Sequence, residues 1–353
     1  MSGADRLRSL PKVELHRHLD GSVRLQTIWD IARSHGIDIG ARSVEELRQA
    51  AVIRQPVESL EAALACFATQ QKVLDSFETL SRVTLENIED AWRDGVKLVE
   101  LRFAPAFIAE GKDLSNDEII GGVLDGVVKG MAKWPIEVGL IGILPRGLPL
   151  AASERAARDL ARWKTSGRPA AARICGFDLA AQERGVDPLP FVPLVDMARE
   201  AGMGITVHSG EDTDAAHVER TLDLFRPGRI GHGIQAWGTD RVVQRLREED
   251  VLLELCPTSN WLTRAVPDLG AHPLPRFYRA GVPLSINSDD PNLMGIDLVN
   301  EYEICARQYG LDEEDFQAIN LAALSHSFLP PEVVGAVKEA FFTPRGRSPS
   351  RTP

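Results

Sequence analysis

The stretch "VGLIGILPR" at residues 138–146 carries no polar side chain before its terminal Arg146. A strand with one face in water would alternate polar and apolar residues. This one does not, so it reads as a strand covered on both faces, the situation of a parallel sheet wrapped in helices. Seven further runs of similar character flank it: "KVELHRHLD" (12–20), "VKLVELRFA" (96–104), "RICGFDLA" (173–180), "GITVHSGE" (204–211), "RIGHG" (229–233), "VLLELCPTSN" (251–260) and "VPLSINSDD" (282–290). Amphipathic segments such as "ASERAARDLARW" (152–163) and "FVPLVDMAREAG" (191–202, stopped by Gly202) lie between them. Eight such strands predict an α/β fold, a (β/α)8 TIM barrel, with its active site at the C-terminal strand ends.

Residues 21–95 form a long helical insertion between the first and second strands. Within it, "SLEAALACF" (59–67) puts Leu60, Ala63, Leu64 and Phe67 on one helical face, a stripe that fits core packing. Residues 1–342 are expected to form a single domain. The tail "TPRGRSPSRTP" (343–353) has no apolar residue and is expected to be disordered.

With 353 residues and 44% hydrophobic content the chain can bury a large core, and its net charge of −11 argues against nucleic acid or an anionic membrane as partner. The N-terminus lacks an apolar run of signal-peptide length, and no stretch approaches the roughly 18 apolar residues of a membrane span. Cys66, Cys175, Cys256 and Cys305 are far apart in sequence, without a CxxC pair. A reducing, cytoplasmic setting is the expectation.

Polar residues concentrate at the strand ends. His16 and His18 leave one face of the first strand, with Asp20 following. The fifth strand ends in His208 and Glu211, the sixth in His232, and the eighth in Asp289 and Asp290. Each piece alone also fits a bland reading: half-exposed histidines, a capping turn, a helix start. Together they bring four of the eight histidines to one rim. Three imidazoles and one carboxylate suit a borderline-soft divalent ion, zinc above all. If the eighth strand stays extended, Asp289 and Asp290 diverge, and only one can face the metal.

The set "KVELHRHLDGS", "GFDLAAQE", "VHSGED", "RIGHG", "CPTSN" and "INSDDP", over roughly residues 8–335, resembles the adenosine deaminase family of the amidohydrolase superfamily. The resemblance implies one Zn2+ per chain on His16, His18, His208 and Asp289. Glu211 would be the proton donor to purine N1, and His232 would orient the attacking hydroxide. Asp290 would bind purine N7 and Asp20 a ribose hydroxyl, with His18 and Ala181 also beside the substrate. The implied reaction is hydrolytic deamination of adenosine or 2′-deoxyadenosine, with a small purine nucleoside or base as the partner. The fourth strand lacks the lysine that bridges two metals elsewhere in the superfamily, which favours one ion.

The match departs at "DLAAQE", where the family commonly has "DLAGDE". Ala181 stands at the position whose glycine N–H meets purine N3, and alanine lacks glycine's tolerance for positive φ. Ala63 replaces a phenylalanine of vertebrate-type relatives, and "RFAPAF" lacks a rim histidine. These changes keep free adenine, methylthioadenosine and aminodeoxyfutalosine open as substrates, with a mononuclear amidase or lactonase, or a silent binding homologue, as remoter readings. Of the remaining histidines, His35 and His217 read as surface residues, while His272 braces a helix and His326 caps one. Ser259 and Asn260 read as supporting hydrogen-bonding residues.

Overall fold

The computed structural model describes residues 3–343, and the expectation for the tail beyond Thr343 lies outside them. All eight apolar runs form strands: β1 (Lys12–His18), β2 (Val96–Phe103), β3 (Glu137–Pro145), β4 (Ile174–Ala180), β5 (Gly204–Ser209), β6 (Arg229–His232), β7 (Leu252–Leu255) and β8 (Leu284–Ile286). They pair in parallel in chain order, β1 through β8. The last strand returns to the first. His18 N donates to Asp289 O at 2.8 Å, Asp289 N donates to His16 O at 3.1 Å, and Leu15 N donates to Asn287 Oδ1 at 2.9 Å. The ring thus closes as a TIM barrel. Its closing hydrogen bonds are also what bring Asp289 beside His16 and His18.

Helices cover the outside because each apolar strand needs a second covered face. Five helices lie between β1 and β2: Leu25–His35, Val44–Ala51, Leu60–Ala65, Ala68–Val73 and Phe77–Arg93. The last is set by a capping box at Ser76 and Thr79. At the barrel floor the Phe328 ring occupies space that a side chain at Gly176 or Gly204 would fill. Arg229 lies over that ring, 3.6 Å from its centroid. Between floor and mouth the barrel is unusual in holding charge. Glu100, Arg102, Asp178, Arg229 and Glu254 are all fully buried. Among the described residues no helix is long and apolar enough to cross a membrane.

Candidate active site

At the barrel mouth, His16 Nε2 stands 3.1 Å from Asp289 Oδ1, and His18 Nε2 stands 3.3 Å from that oxygen and 3.3 Å from His16 Nε2. Donor atoms about 2.0–2.1 Å from a zinc ion at tetrahedral angles lie about 3.3 Å apart, so this triangle has the dimensions of a metal's ligand set. The third histidine, His208, packs its ring 4.7 Å from that of His16. His16 Nδ1 is held by Glu254 Oε2 at 2.8 Å, and His208 Nδ1 by Asp178 Oδ2 at 3.0 Å, which leaves Nε2 of each ring for a ligand. Burial pushes the His18 imidazole well below its usual range and lowers that of His208, so both are neutral, as metal ligands must be. The rings fit because residue 231 has no side chain. A Cβ at Gly231 would sit 3.1 Å from both His16 Cε1 and His208 Nδ1.

Asp289 and Asp290 both line the same cavity, contrary to the divergence expected of an extended strand, because β8 ends at Ile286 and the chain turns through φ 61° at Asp289. Asp289 then reaches the histidines while Asp290 packs against Gly21, where any Cβ would overlap its Oδ1. Burial, with Asp289 and Asp20 nearby, raises the Asp290 carboxyl well above the usual range, which favours its protonated, hydrogen-bond-donating form. Burial beside Asp289 and Glu183 does the same for Glu211. Thr263 Oγ1 donates to Glu211 Oε1 at 3.0 Å. His232, also at positive φ (59°), lies with Nε2 3.6 Å from Glu211 Oε2 and 3.8 Å from Asp289 Oδ2. Asp20 is pushed up to about 6 by burial, with Gln71 Nε2 donating to its Oδ2 at 3.2 Å.

Ala181 adopts φ 65°, the conformation that its side chain disfavours. Buried Arg146 holds it there, with Nη2 donating to Ala181 O at 3.0 Å and to His208 O at 2.9 Å. The backbone therefore keeps the shape a glycine would take. Ala181→Gly relieves about 1–2 kcal/mol of left-handed strain and returns about 0.5–1 kcal/mol to the unfolded chain as entropy. The variant is expected to gain roughly 0.5–1 kcal/mol in urea denaturation, and a lower midpoint would refute the strain.

Of the other residues singled out in the sequence, some land as read and some do not. β7 stops at Leu255, and a helix over Pro257–Leu262 carries Ser259 and Asn260. Asn260 touches His232 Nδ1 at 3.0 Å. The stripe of Leu60, Ala63, Leu64 and Phe67 lines the cavity, which measures about 290 Å³, as do Ala104 and Phe107 after β2. His35 is exposed and pairs with Asp75 at 2.7 Å. His217 is half-buried and bonded to Ser209 Oγ at 3.0 Å, so it is not a surface residue. His326 caps the helix Glu313–Ser325 through Ala322 O at 2.8 Å. Cys256 stands close enough to His16 and Asp289 to form with them a group that could hold a metal ion, yet burial raises its thiol well above the usual range and Sγ donates to Glu254 O at 3.7 Å. Glu183 was missed. Its carboxylate accepts from Gly210 N at 2.7 Å, Glu211 N at 3.0 Å and Thr213 Oγ1 at 2.6 Å, fixing the turn that aims Glu211.

A family model described as adenosine deaminase matches residues 11–341. An adenosine deaminase of Escherichia coli is 35% identical over 335 residues, covering 94% of this chain and 97% of that protein. Among solved structures, an adenine deaminase from Arthrobacter aurescens superposes with a TM-score of 0.85 at 26% identity, covering 94% of this chain and 97% of its own. An Arabidopsis N6-mAMP deaminase superposes with a TM-score of 0.82 at 26% identity, covering 96% and 99%.

Proposed function

The chain belongs to the adenosine deaminase family and is an adenosine deaminase-like hydrolase, and we propose that it converts adenosine, 2′-deoxyadenosine or a related neutral adenine nucleoside to the 6-oxopurine and ammonia, using one zinc ion. The observation that carries this reading is a single cavity containing both a His–His–Asp triangle of metal-ligand dimensions and two buried carboxyls, Glu211 and Asp290. His16, His18, His208 and Asp289 would hold the zinc. Bound there, zinc supplies a Lewis acid that makes hydroxide available near neutral pH.

The chain's own residues do the rest. Glu211, neutral and fixed by Thr263 and the Glu183 turn, donates its proton to purine N1 as the ring carbon gains its new oxygen. Its carboxylate then takes the proton of the hydroxyl newly bound to the ring carbon and passes it to the leaving amine, which departs as ammonia and leaves the 6-oxo group. His232 orients the nucleophile. Neutral Asp290 donates to N7, and the Ala181 N–H faces N3. His18 borders the reacting ring carbon.

Asp20 Oδ1 and Gln71 Oε1 are buried without a hydrogen-bond partner in the protein. Asp20 lines the cavity, and its orphaned Oδ1 calls for a hydroxyl donor, which a ribose has and free adenine lacks. No lysine or arginine side chain lines the cavity among the described residues. A phosphate would thus meet several carboxyls and no lysine or arginine to pair with, which favours nucleosides over substrates such as the N6-mAMP of the Arabidopsis neighbour. Ammonia release from adenosine, 2′-deoxyadenosine, methylthioadenosine, aminodeoxyfutalosine, adenine and AMP, side by side, tests this. We expect kcat/KM for the best neutral nucleoside to exceed that for AMP by about a hundredfold or more. A preference for AMP would overturn the nucleoside reading, and silence across the panel with one zinc bound would remove the purine.

A further inference from the structure

A chain of three hydrogen bonds runs from the backbone into the site. It begins at Leu274, whose amide N–H can only donate, and it donates to His272 Nδ1 at 3.1 Å. That nitrogen is therefore an acceptor, and the proton of a neutral His272 sits on Nε2. His272 Nε2 lies 3.0 Å from Asn260 Oδ1, an acceptor. The same amide's Nδ2, which can only donate, lies 3.0 Å from His232 Nδ1. Each link dictates the polarity of the next. His232 Nδ1 must accept, which leaves its proton on Nε2, the nitrogen facing Glu211 and Asp289.

We propose that His272, acting through Asn260, fixes His232 as the Nε2–H tautomer, so that His232 meets the nucleophile as a hydrogen-bond donor and has no lone pair with which to deprotonate it. His272 is a positioning residue, and its effect on turnover rests on the deaminase reading given above. Its surroundings suit the task. Both Asn260 and His272 are buried, with no exit for the relay to water, and Tyr309 stacks on His272 with centroids 6.2 Å apart. Burial holds the His272 imidazole down at about 3, so it stays neutral across the physiological range. His272 is absent from the cavity lining, so it acts only through the amide between.

The test is ¹⁵N NMR of zinc-loaded enzyme labelled at histidine, with the His232 signals assigned by their loss in His232→Gln. The expected result is a protonated Nε2 and a bare Nδ1. Asn260→Asp replaces the donating amide with a second acceptor and should move the proton to Nδ1. His272→Phe should leave a mixture of tautomers, lower kcat by about 10–100-fold and change KM by less than about threefold, at unchanged zinc content. His272→Gln, which keeps one acceptor and one donor, should recover about tenfold of that loss. A protonated Nδ1 in the wild type would overturn the proposal, and that spectrum needs no variant to fold. So would a His272→Phe enzyme with both kcat and the His232 signals unchanged. If the wild type deaminates no nucleoside, the functional reading falls separately, because the spectrum still decides the tautomer.

Discussion

Glu211→Gln is expected to lower kcat by about a thousandfold while leaving one metal ion bound per chain. The argument rests on what glutamine keeps and loses. Its size matches, and its amide oxygen can still accept from Thr263 Oγ1. The Glu183 carboxylate would still hold the turn through Gly210 N and Glu211 N. None of the His–His–Asp triangle is touched, so metal content, measured by elemental analysis, should not change. The lost property is a proton that can leave. Burial among Asp289 and Glu183 raises the Glu211 carboxyl, which favours the protonated form that can give its proton to a ring nitrogen. Glutamine cannot do so. KM should shift by a few-fold at most, because the change acts on the transition state rather than on binding. A variant with wild-type kcat would remove Glu211 from proton transfer. A variant that loses its metal would instead place Glu211 in the ligand set.

The legible part of this molecule is the part where local pattern and long-range placement coincide. Each strand announced itself by a run of apolar residues, and barrel topology then carried every run's end to the same rim. His16, His18, His208, His232, Glu211, Asp289 and Asp290 could be found that way, because being last on a parallel strand is a local property with a global meaning. Asp20 followed from its place just past β1. What sequence could not give was the supporting tier. Glu100 and Arg102 are two apart on β2 and face the barrel axis together, but their partners lie on β4, β6 and β7, and only closure decides who meets whom. His272 looked like a helix brace, and it is one, through Leu274. Its second bond, to Asn260, required knowing that β7 ends early and turns into a helix. The backbone at Asp289 and Ala181 was likewise hidden. At Ala181 the glycine of the family pattern raises the question of positive φ without settling it, and at both residues tertiary contacts impose the left-handed conformation at the site where it is used.

Arg102 is where fold and chemistry are hardest to separate, and Arg102→Met should show this by costing about 3–5 kcal/mol of stability. The guanidinium is fully buried. Nη1 donates to Asp178 Oδ2 at 2.8 Å, and Nη2 donates to Glu254 Oε2 at 2.7 Å and to Leu15 O at 2.6 Å. Methionine of similar length removes the charge and leaves the carboxylates behind. Glu254 retains Arg229 at 2.7 Å and Thr206 at 3.1 Å, but among the described residues Asp178 keeps only its bond to His208. Despite burial, His208 and Arg102 hold Asp178 well below the usual carboxylate range, and the Arg102 contribution disappears in the variant. Asp178 would then draw a proton or shift, and His208 would lose the anchor that aims its Nε2. Since a domain's total stability is about 5–15 kcal/mol, the loss is a large fraction of it. Zinc affinity should fall about 10–100-fold, as expected when the groups orienting ligand histidines are disturbed. Urea denaturation of the metal-free protein isolates the folding term, and competition with a chelating dye reads the affinity. Arg102→Lys sharpens the comparison: a single ammonium cannot span Asp178 and Glu254 as the fork does, so it should recover charge without recovering both anchors. Wild-type zinc affinity in Arg102→Met at any stability would mean that His16 and His208 are oriented by packing alone.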